Sequence, residues 1–278
     1  MNPLAEWWRV SRLSFQILKE MVTKQGLWRT LGFAWLGISH ALRGRGLPHT
    51  PEVNAALWTV YDWSRQGEEW SKDPAWEALV VQDLLAPHVP SGSRVLEIGP
   101  GAGRWTQYLV QRASRLVIVD VTPRCIELCR TRFHRIPHIE YVVNNGCDLS
   151  FLPAESIDRI WSWDVFIHVG VEDIQRYIRQ FSRVLTPGGR GLIQHAHAPY
   201  AWGWRSPVSM AQMADLCRDA GLTVAEQFQA WHGGRMTTPK PADMVTVFAK
   251  PARDESSRAP SHAVGEQMAS ADRMATGA

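Results

Sequence analysis

The chain is poor in cysteine, in long apolar runs and in the features of an export signal, and each shortage excludes something. Four cysteines, Cys125, Cys129, Cys147 and Cys217, occur in 278 residues, which excludes a disulfide framework and points to reduced thiols. Cys125 and Cys129 stand four apart in an expected helix, and no second Cys or His pair completes a zinc site, so they read as structural. No run of about 18 residues is free of charge, and no transmembrane helix is expected. The start, Met1-Asn2-Pro3-Leu4-Ala5-Glu6, lacks the basic-then-apolar order of a secretory signal. The expectation is a cytoplasmic protein.

Basic charge is scarce wherever a nucleic-acid enzyme would need it. The net charge is +3, and the excess is entirely N-terminal. Arg9, Arg12, Lys19, Lys24, Arg29, Arg43 and Arg45 face only Glu6 and Glu20 in residues 1–50, whereas residues 51–252 carry slightly more acid than base. A nucleic-acid partner is therefore not expected.

With 45% apolar residues the chain can bury a sizeable core. Residues 1–46 read as a separate helical extension. Leu4, Trp8, Ser11, Phe15, Leu18 and Val22 share one helix face, while Arg9, Arg12, Gln16 and Lys19 lie on another. Two readings stay open for this segment: a cap or homodimer arm, or a peripheral helix at a membrane surface. Gly44 to Pro51 breaks the pattern as a linker. At the other end, residues 253–278 hold no aromatic residue, and disorder is expected.

Between these ends, Val95-Leu96-Glu97-Ile98 reads as a buried strand, Gly99-Pro100-Gly101-Ala102-Gly103 as a glycine loop and Arg104-Trp105 as a helix start. Strand, glycine turn and helix in that order mark the ligand crevice of an open parallel sheet. The dinucleotide fingerprint G-x-G-x-x-G is not met, because Arg104 stands where its third glycine belongs. Glu97 would repel a pyrophosphate and suits a cationic ligand.

The segment Glu97-Ile98-Gly99-Pro100-Gly101-Ala102-Gly103 resembles the first motif of the class I S-adenosylmethionine-dependent methyltransferases, [D/E]-x-G-x-G-x-G, at every specified position. Downstream, Val184-Leu185-Thr186-Pro187-Gly188-Gly189 resembles the family's L-x-P-G-G turn. The resemblance covers about residues 55–250. With the alternation of apolar strands and helices it implies an α/β fold: a Rossmann-like, seven-stranded, mostly parallel sheet with helices on both faces and the last strand antiparallel, behind the N-terminal helical extension. Residues 47–90 are expected as linker and lid, 91–252 as the cofactor-binding core. Strands are expected at 94–98, 115–120, 139–143, 157–163, 191–195, 223–230 and 244–249. Helices are expected at 75–87, 104–112, 123–133, 171–185 and 208–220.

Asp120 ends the second strand at the carboxyl edge of the sheet, where a carboxylate can accept both ribose hydroxyls. The resemblance gives it the same role and makes Glu97, Gly99, Gly101, Gly103, Gly146 and Trp163 further cofactor candidates. Asn145 and Asp148 can each be placed at the family's adenine position, against a plain Asn-Gly turn. The resemblance also implies a lid lined by Tyr61, Trp63, Glu68 and Trp70. Asp164 and His168 follow the fourth strand, at the mouth of the crevice where a methyl acceptor approaches. His195 and His197 are two apart, so on a strand they face one side, but two histidines make no metal site and none is expected. Arg205, after an aromatic insertion (198–204), could hold an anionic substrate group.

A sulfonium methyl is already activated, so catalysis can come from holding a nucleophile in line with it. If the acceptor is a hydroxyl of a small molecule or glycan, a base must take its proton, and His168 or His195 is of the right type, with Asp164 to orient it. Two other readings remain: a catalytically silent S-adenosylmethionine-binding assembly module, and a nicotinamide oxidoreductase, against which Glu97 and Arg104 argue.

Overall fold

A computed structural model of the chain describes residues 49–197, 205–231, 236–238 and 243–253. The expectations for residues 1–46, for the insertion 198–204 and for nearly all of the tail lie outside the described residues.

The first described helix, α1 (Pro51–Val60), has Thr50 as its N-cap and proline in its first turn, the position where a missing N–H costs nothing. Short 3₁₀ turns at Trp63–Arg65 and Glu68–Trp70 follow. Helix α2 (Pro74–Val80) starts where Asp73 accepts the Trp76 N–H at 2.8 Å. It passes through a π-turn at Val81–Leu85 to end at Ala86–His88. The sheet then builds in alternation: β1 (Ser93–Ile98), α3 (Thr106–Leu109), β2 (Ala113–Asp120), α4 (Pro123–Arg132), β3 (Ile139–Val143), β4 (Ile157–Phe166), α5 (Val171–Val184) and β5 (Leu185–Ala196). Helix α6 (Met210–Asp219) opens on a capping box between Ser209 and Gln212. It leads into β6 (Thr223–Phe228), then a small ribbon of β7 (Ala230–Trp231) and β8 (Met236–Thr237), and β9 (Asp243–Ala249).

Seven strands form one sheet in the order β3-β2-β1-β4-β5-β9-β6. Pairs from β3 through β5 are parallel, and β9 runs antiparallel to both β5 and β6. Alternation along the central strands feeds two cores. Leu96, Ile98, Val117, Val119, Ile160 and Ile193 pack with Tyr177, Phe181, Met213 and Cys217 of α5 and α6. Val95, Leu116, Ile118, Trp161 and Leu192 pack with Trp76, Leu85, Leu109, Ile126 and Cys129 of α2, α3 and α4. Strands covered on both faces must be apolar almost throughout, and these are.

Three elements differ from expectation. The Thr186-Pro187-Gly188-Gly189 turn lies inside β5: pairing steps from Ile157↔Leu185 to Arg159↔Arg190, so it bulges out of a strand already begun. The expected strand over 223–230 splits at Phe228, and Ala230–Trp231 turns away to pair with Met236–Thr237. The expected helix over 104–112 keeps four residues, Thr106–Leu109.

Candidate active site

The carboxyl ends of β1, β2 and β4 open into one cleft, with about 870 Å³ of empty space when the open solvent at its mouth is included. Its floor is the glycine loop at Gly99, Pro100 and Gly101, whereas Gly103, an expected cofactor contact, lies off the cleft wall against Phe133. Gly99, Gly101 and Gly103 all have positive φ, at 70°, 57° and 92°, which L side chains rarely tolerate. The loop is also crowded from within the protein. A Cβ on Gly99 would lie 2.3 Å from Val165, and one on Gly101 2.8 Å from the Trp63 ring. Helix α4 holds the loop from behind, where Cys129 Sγ lies 3.3 Å from the Gly101 carbonyl and Arg132 donates to that of Ala102 at 3.1 Å. Cys125 and Cys129 are both free, buried thiols; Cys129 backs the loop, and Cys125 lies on the cleft wall.

Two carboxylates accompany the loop in different ways. Asp120 lies on the cleft wall, where it accepts the Thr122 N–H at 2.8 Å. Burial pushes its pKa up to about 6 against the pull of that bond and of the Gly101 and Val121 N–H groups. Glu97 does not line the cleft. It is 1% exposed beneath the loop and accepts the Thr106 hydroxyl at 2.7 Å, and burial raises its pKa to about 8. Its expected direct role toward a cation is therefore corrected: Glu97 braces the first turn after the loop.

Across from the floor stands an aromatic wall. Trp58, Trp63 and Trp70 line the cleft, with ring centroids 5.5 to 6.0 Å apart. Trp63 donates its indole N–H to the Trp58 carbonyl at 2.9 Å, which fixes its ring over Gly101. Tyr61 stands behind, 5.1 Å from both Trp63 and Trp70, with its hydroxyl on Glu69 at 2.8 Å. Neither Tyr61 nor Glu68 lines the cleft, so of the expected lid residues only Trp63 and Trp70 face it. Pro51 closes on Gly146, leaving 2.7 Å to where a Cβ would sit.

At the mouth, Asp164 and His168 both line the cleft, together with Trp163 and Trp105. His168 stands with its ring edge-on to Trp58 at 5.2 Å, and its carbonyl accepts from Asn54 at 2.9 Å. Asp164 is ion-paired with Arg104. Trp163 stacks on Trp161 at 5.7 Å and 12°.

The remaining candidates lie elsewhere. His195 is fully buried, its Nδ1 2.6 Å from the Ala196 carbonyl and its Nε2 2.7 Å from the Thr246 hydroxyl. It does not line the cleft, which corrects its expected part as a base, and burial lowers its pKa to about 4. His197 is half-buried and off the cleft wall. Arg205 is ion-paired with Asp243 and also off the wall, so the expected anion grip is not formed. Asn145 accepts the Asp148 N–H at 2.9 Å, and Asp148 accepts the Ser150 N–H at 2.8 Å. Both side chains are spent on their own turn, and only Gly146 of that loop meets the cleft.

Asn54, Trp58, Gln66, Arg104, Asp173 and Tyr177 line the cleft without having been singled out for it. No short motif marks them. Arg104 alone carries a signal, a charge directly after the third glycine, which in the sequence stands out only as a departure from the dinucleotide fingerprint.

A family model described as a methyltransferase domain matches residues 95–189. The chain is 31% identical over 148 residues to the demethylmenaquinone methyltransferase of Tropheryma whipplei (strain Twist), covering 52% of this chain and 59% of that protein. It is 25% identical over 197 residues to nodulation protein S of Rhizobium tropici, covering 69% and 79%. Among solved structures, the N-methyltransferase NodS from Bradyrhizobium japonicum WM9 is similar, with 25% identity, a TM-score of 0.52 and coverage of 64% of this chain and 98% of that one. A second structure of that protein, solved with S-adenosyl-L-homocysteine, has the same fold at 22% identity and TM-score 0.51. The chain thus spans only about three-fifths of the length of that demethylmenaquinone methyltransferase.

The cleft itself fits the sulfonium nucleoside that such proteins bind. Asp120 presents acceptor oxygens at the end of β2, the glycine loop exposes backbone beside it, and aromatic faces rather than cations stand opposite. Residues 95–189 match a methyltransferase domain, and the glycine motif, the carboxylate ending β2 and the strand order agree with the Rossmann-like fold of the class I S-adenosylmethionine-dependent methyltransferases.

Proposed function

We propose that the chain moves a methyl group from S-adenosylmethionine to a hydroxyl oxygen of a small-molecule, glycan or lipid-like acceptor. The observation that carries this reading is the single cleft in which Asp120 and the glycine loop adjoin an aromatic mouth holding His168. The bound cofactor supplies an already activated methyl group. The chain's residues then have four tasks. Asp120 takes the ribose hydroxyls. The loop backbone sets the depth of binding. Trp58, Trp63 and Trp70 exclude water and give an apolar acceptor ring faces to pack on. His168 accepts the proton of the acceptor hydroxyl at its imidazole.

Asp164 is not the base in this reading, because its carboxylate is committed to Arg104. That pair also speaks to acceptor charge. Arg104 is the one arginine or lysine among the described residues that line the cleft, against Asp120, Asp164 and Asp173. An anionic acceptor would meet more acid than base, and a nucleic acid is disfavoured for the same reason. Aromatic faces beside carboxylates favour a second reading, an amine nitrogen as acceptor, since a cation can lie against such rings. Residues 1–46 are assigned to peripheral membrane contact or to a homodimer.

The test is release of S-adenosylhomocysteine by the full chain against a panel of phenols, sugars and primary amines. Turnover with hydroxyl acceptors that is lost in His168→Ala supports the first reading. Turnover confined to amines replaces it with the second. Cofactor binding without turnover on any acceptor would leave a silent binding module.

A further inference from the structure

We propose that Arg104 is a positioning residue that latches the aromatic lid across the cleft, using an ion pair with Asp164 as its anchor. The proposal rests on the reading that the cleft holds S-adenosylmethionine.

Arg104 directly follows the glycine loop and is 4% exposed. One guanidinium nitrogen donates to the Gly67 carbonyl at 3.1 Å, and another pairs with the Asp164 carboxylate. The same group lies 4.8 Å from the Trp105 ring centroid and 5.9 Å from that of Trp70. A single side chain therefore touches the loop's own helix start, the end of β4 and the lid segment. A planar fork with several donors can do this, whereas the single ammonium of lysine cannot reach both acceptors in the same geometry.

The anchor is built for the purpose. Asp164 sits in a bulge of β4, where pairing steps from Ser162↔Ile193 to Phe166↔His195. Its φ is +61°, a conformation that costs a non-glycine residue free energy and persists only where the surroundings hold it. Here the Asp164 N–H donates to Gln194 Oε1 at 2.7 Å, and Gln194 Nε2 donates to Asp243 Oδ2 at 3.0 Å. Asp243 in turn is ion-paired with Arg205. The carboxylate that grips Arg104 is thus fixed through β5 and β9, while the carbonyl at the other end belongs to a turn, Gln66-Gly67, with φ of 58° and 86°. One end of the latch is sheet, and the other is the lid.

The lid has further ties: Asn54 to the His168 carbonyl, and Lys72 and Trp76 to the Thr237 carbonyl. These lie at the two ends of residues 54–76. Arg104 holds the middle, next to Trp63 and Trp70. The latch is expected to govern how long a ligand stays on the glycine loop and how the acceptor face is set, without touching the reacting atoms.

The experiment measures release of S-adenosylhomocysteine from the full chain by stopped-flow tryptophan fluorescence, with thermal midpoints taken alongside. Arg104→Lys and Asp164→Asn are the informative variants, since lysine retains the charge and asparagine tolerates positive φ. Each is expected to speed release about tenfold, because loss of a buried charged hydrogen bond shows mainly in the off-rate. Trp70→Ala is expected to do the same, and Trp70→Ala combined with Arg104→Lys to release no faster than the faster single variant. A purely structural Arg104 would lower the thermal midpoint and leave release unchanged, which overturns the latch. So would rates that multiply in the combined variant, since Arg104 and the lid would then act independently. A wild-type chain that binds no S-adenosylhomocysteine would overturn the cofactor reading as well, and that result is distinct from either.

Discussion

The two ends of the cleft are made differently. The floor is local: strand, glycine loop and helical turn follow one another within residues 93–109, and Asp120 ends the neighbouring strand. The mouth is assembled from afar. Trp58 and Trp70, Arg104, and Asp164 with His168 come from three separate stretches of chain and meet only when the sheet is complete. A local arrangement needs fixed residue types at fixed spacing, because backbone conformation admits few alternatives. An assembled one needs only that shapes and charges match across a gap, which many side chains can satisfy. The floor therefore specifies the cofactor, and the mouth is free to specify the acceptor.

That contrast predicts which changes do most harm. The largest effect is expected from Gly99→Ala, where a methyl group would sit 2.3 Å from Val165 at a φ of +70°. The left-handed conformation costs an L residue about 1–2 kcal/mol, and overpacking adds roughly 1–3 kcal/mol. Chemical denaturation should show that loss, and calorimetry should find no cofactor binding. Next comes His168→Ala, expected to lower turnover by about 10²–10⁴-fold while cofactor affinity stays the same. A parallel loss of affinity would move His168 from the acceptor end to the cofactor end. Asp120→Ala should act in the opposite sense, weakening cofactor binding by about 1–3 kcal/mol, the worth of hydrogen bonds to a charged group. Titration calorimetry separates the two.

Much of the floor was legible in the sequence because its physics is short-ranged. The motif, Asp120, the parallel order and the apolar strands all follow from periodicities within a few residues. The mouth was legible only as a list of residue types. Trp63 and Trp70 could be placed near the cleft but Tyr61 could not be told from them, since which ring faces inward depends on the Trp63 indole bonding to Trp58. His195 looked equal to His168, both following apolar strands. The difference is Thr246 on β9, fifty-one residues away, which holds the His195 ring inside the sheet. Arg104 was visible only as a misfit until its partners were seen.

A subtler prediction concerns pH and the carboxylate beneath the floor. Burial raises the Glu97 pKa from the ordinary 4.5 to about 8, so between those values the folded chain binds more protons at this site than the unfolded chain. Stability must then fall as pH rises across that window, and the contribution of the neutral acid is fully present only below it. Asp120 adds the same sign between 3.8 and about 6. Glu97→Gln keeps an acceptor for the Thr106 hydroxyl and removes the titration. Its thermal midpoint should therefore decline less than that of the wild-type chain between pH 5 and 8. Identical pH profiles would show that Glu97 is ionised in the folded state.

The smallest effect is expected where a local rule held but carried no ligand. Asn145 and Asp148 stand in the loop after β3, the place where the family resemblance sought an adenine contact. Their side-chain oxygens are instead turned inward on Cys147, Asp148 and Ser150, and only Gly146 between them meets the cleft. Replacing either with alanine removes bonds worth about 0.5–1.5 kcal/mol each in stability and loosens a turn that abuts Pro51. If the floor alone sets cofactor affinity, Asn145→Ala and Asp148→Ala should bind S-adenosylmethionine as tightly as the wild-type chain, within about twofold, while Asp120→Ala does not. A tenfold loss in either would mean that the loop turns a side chain toward the nucleoside on binding, and the boundary between a local floor and an assembled mouth would have to be redrawn to include β3.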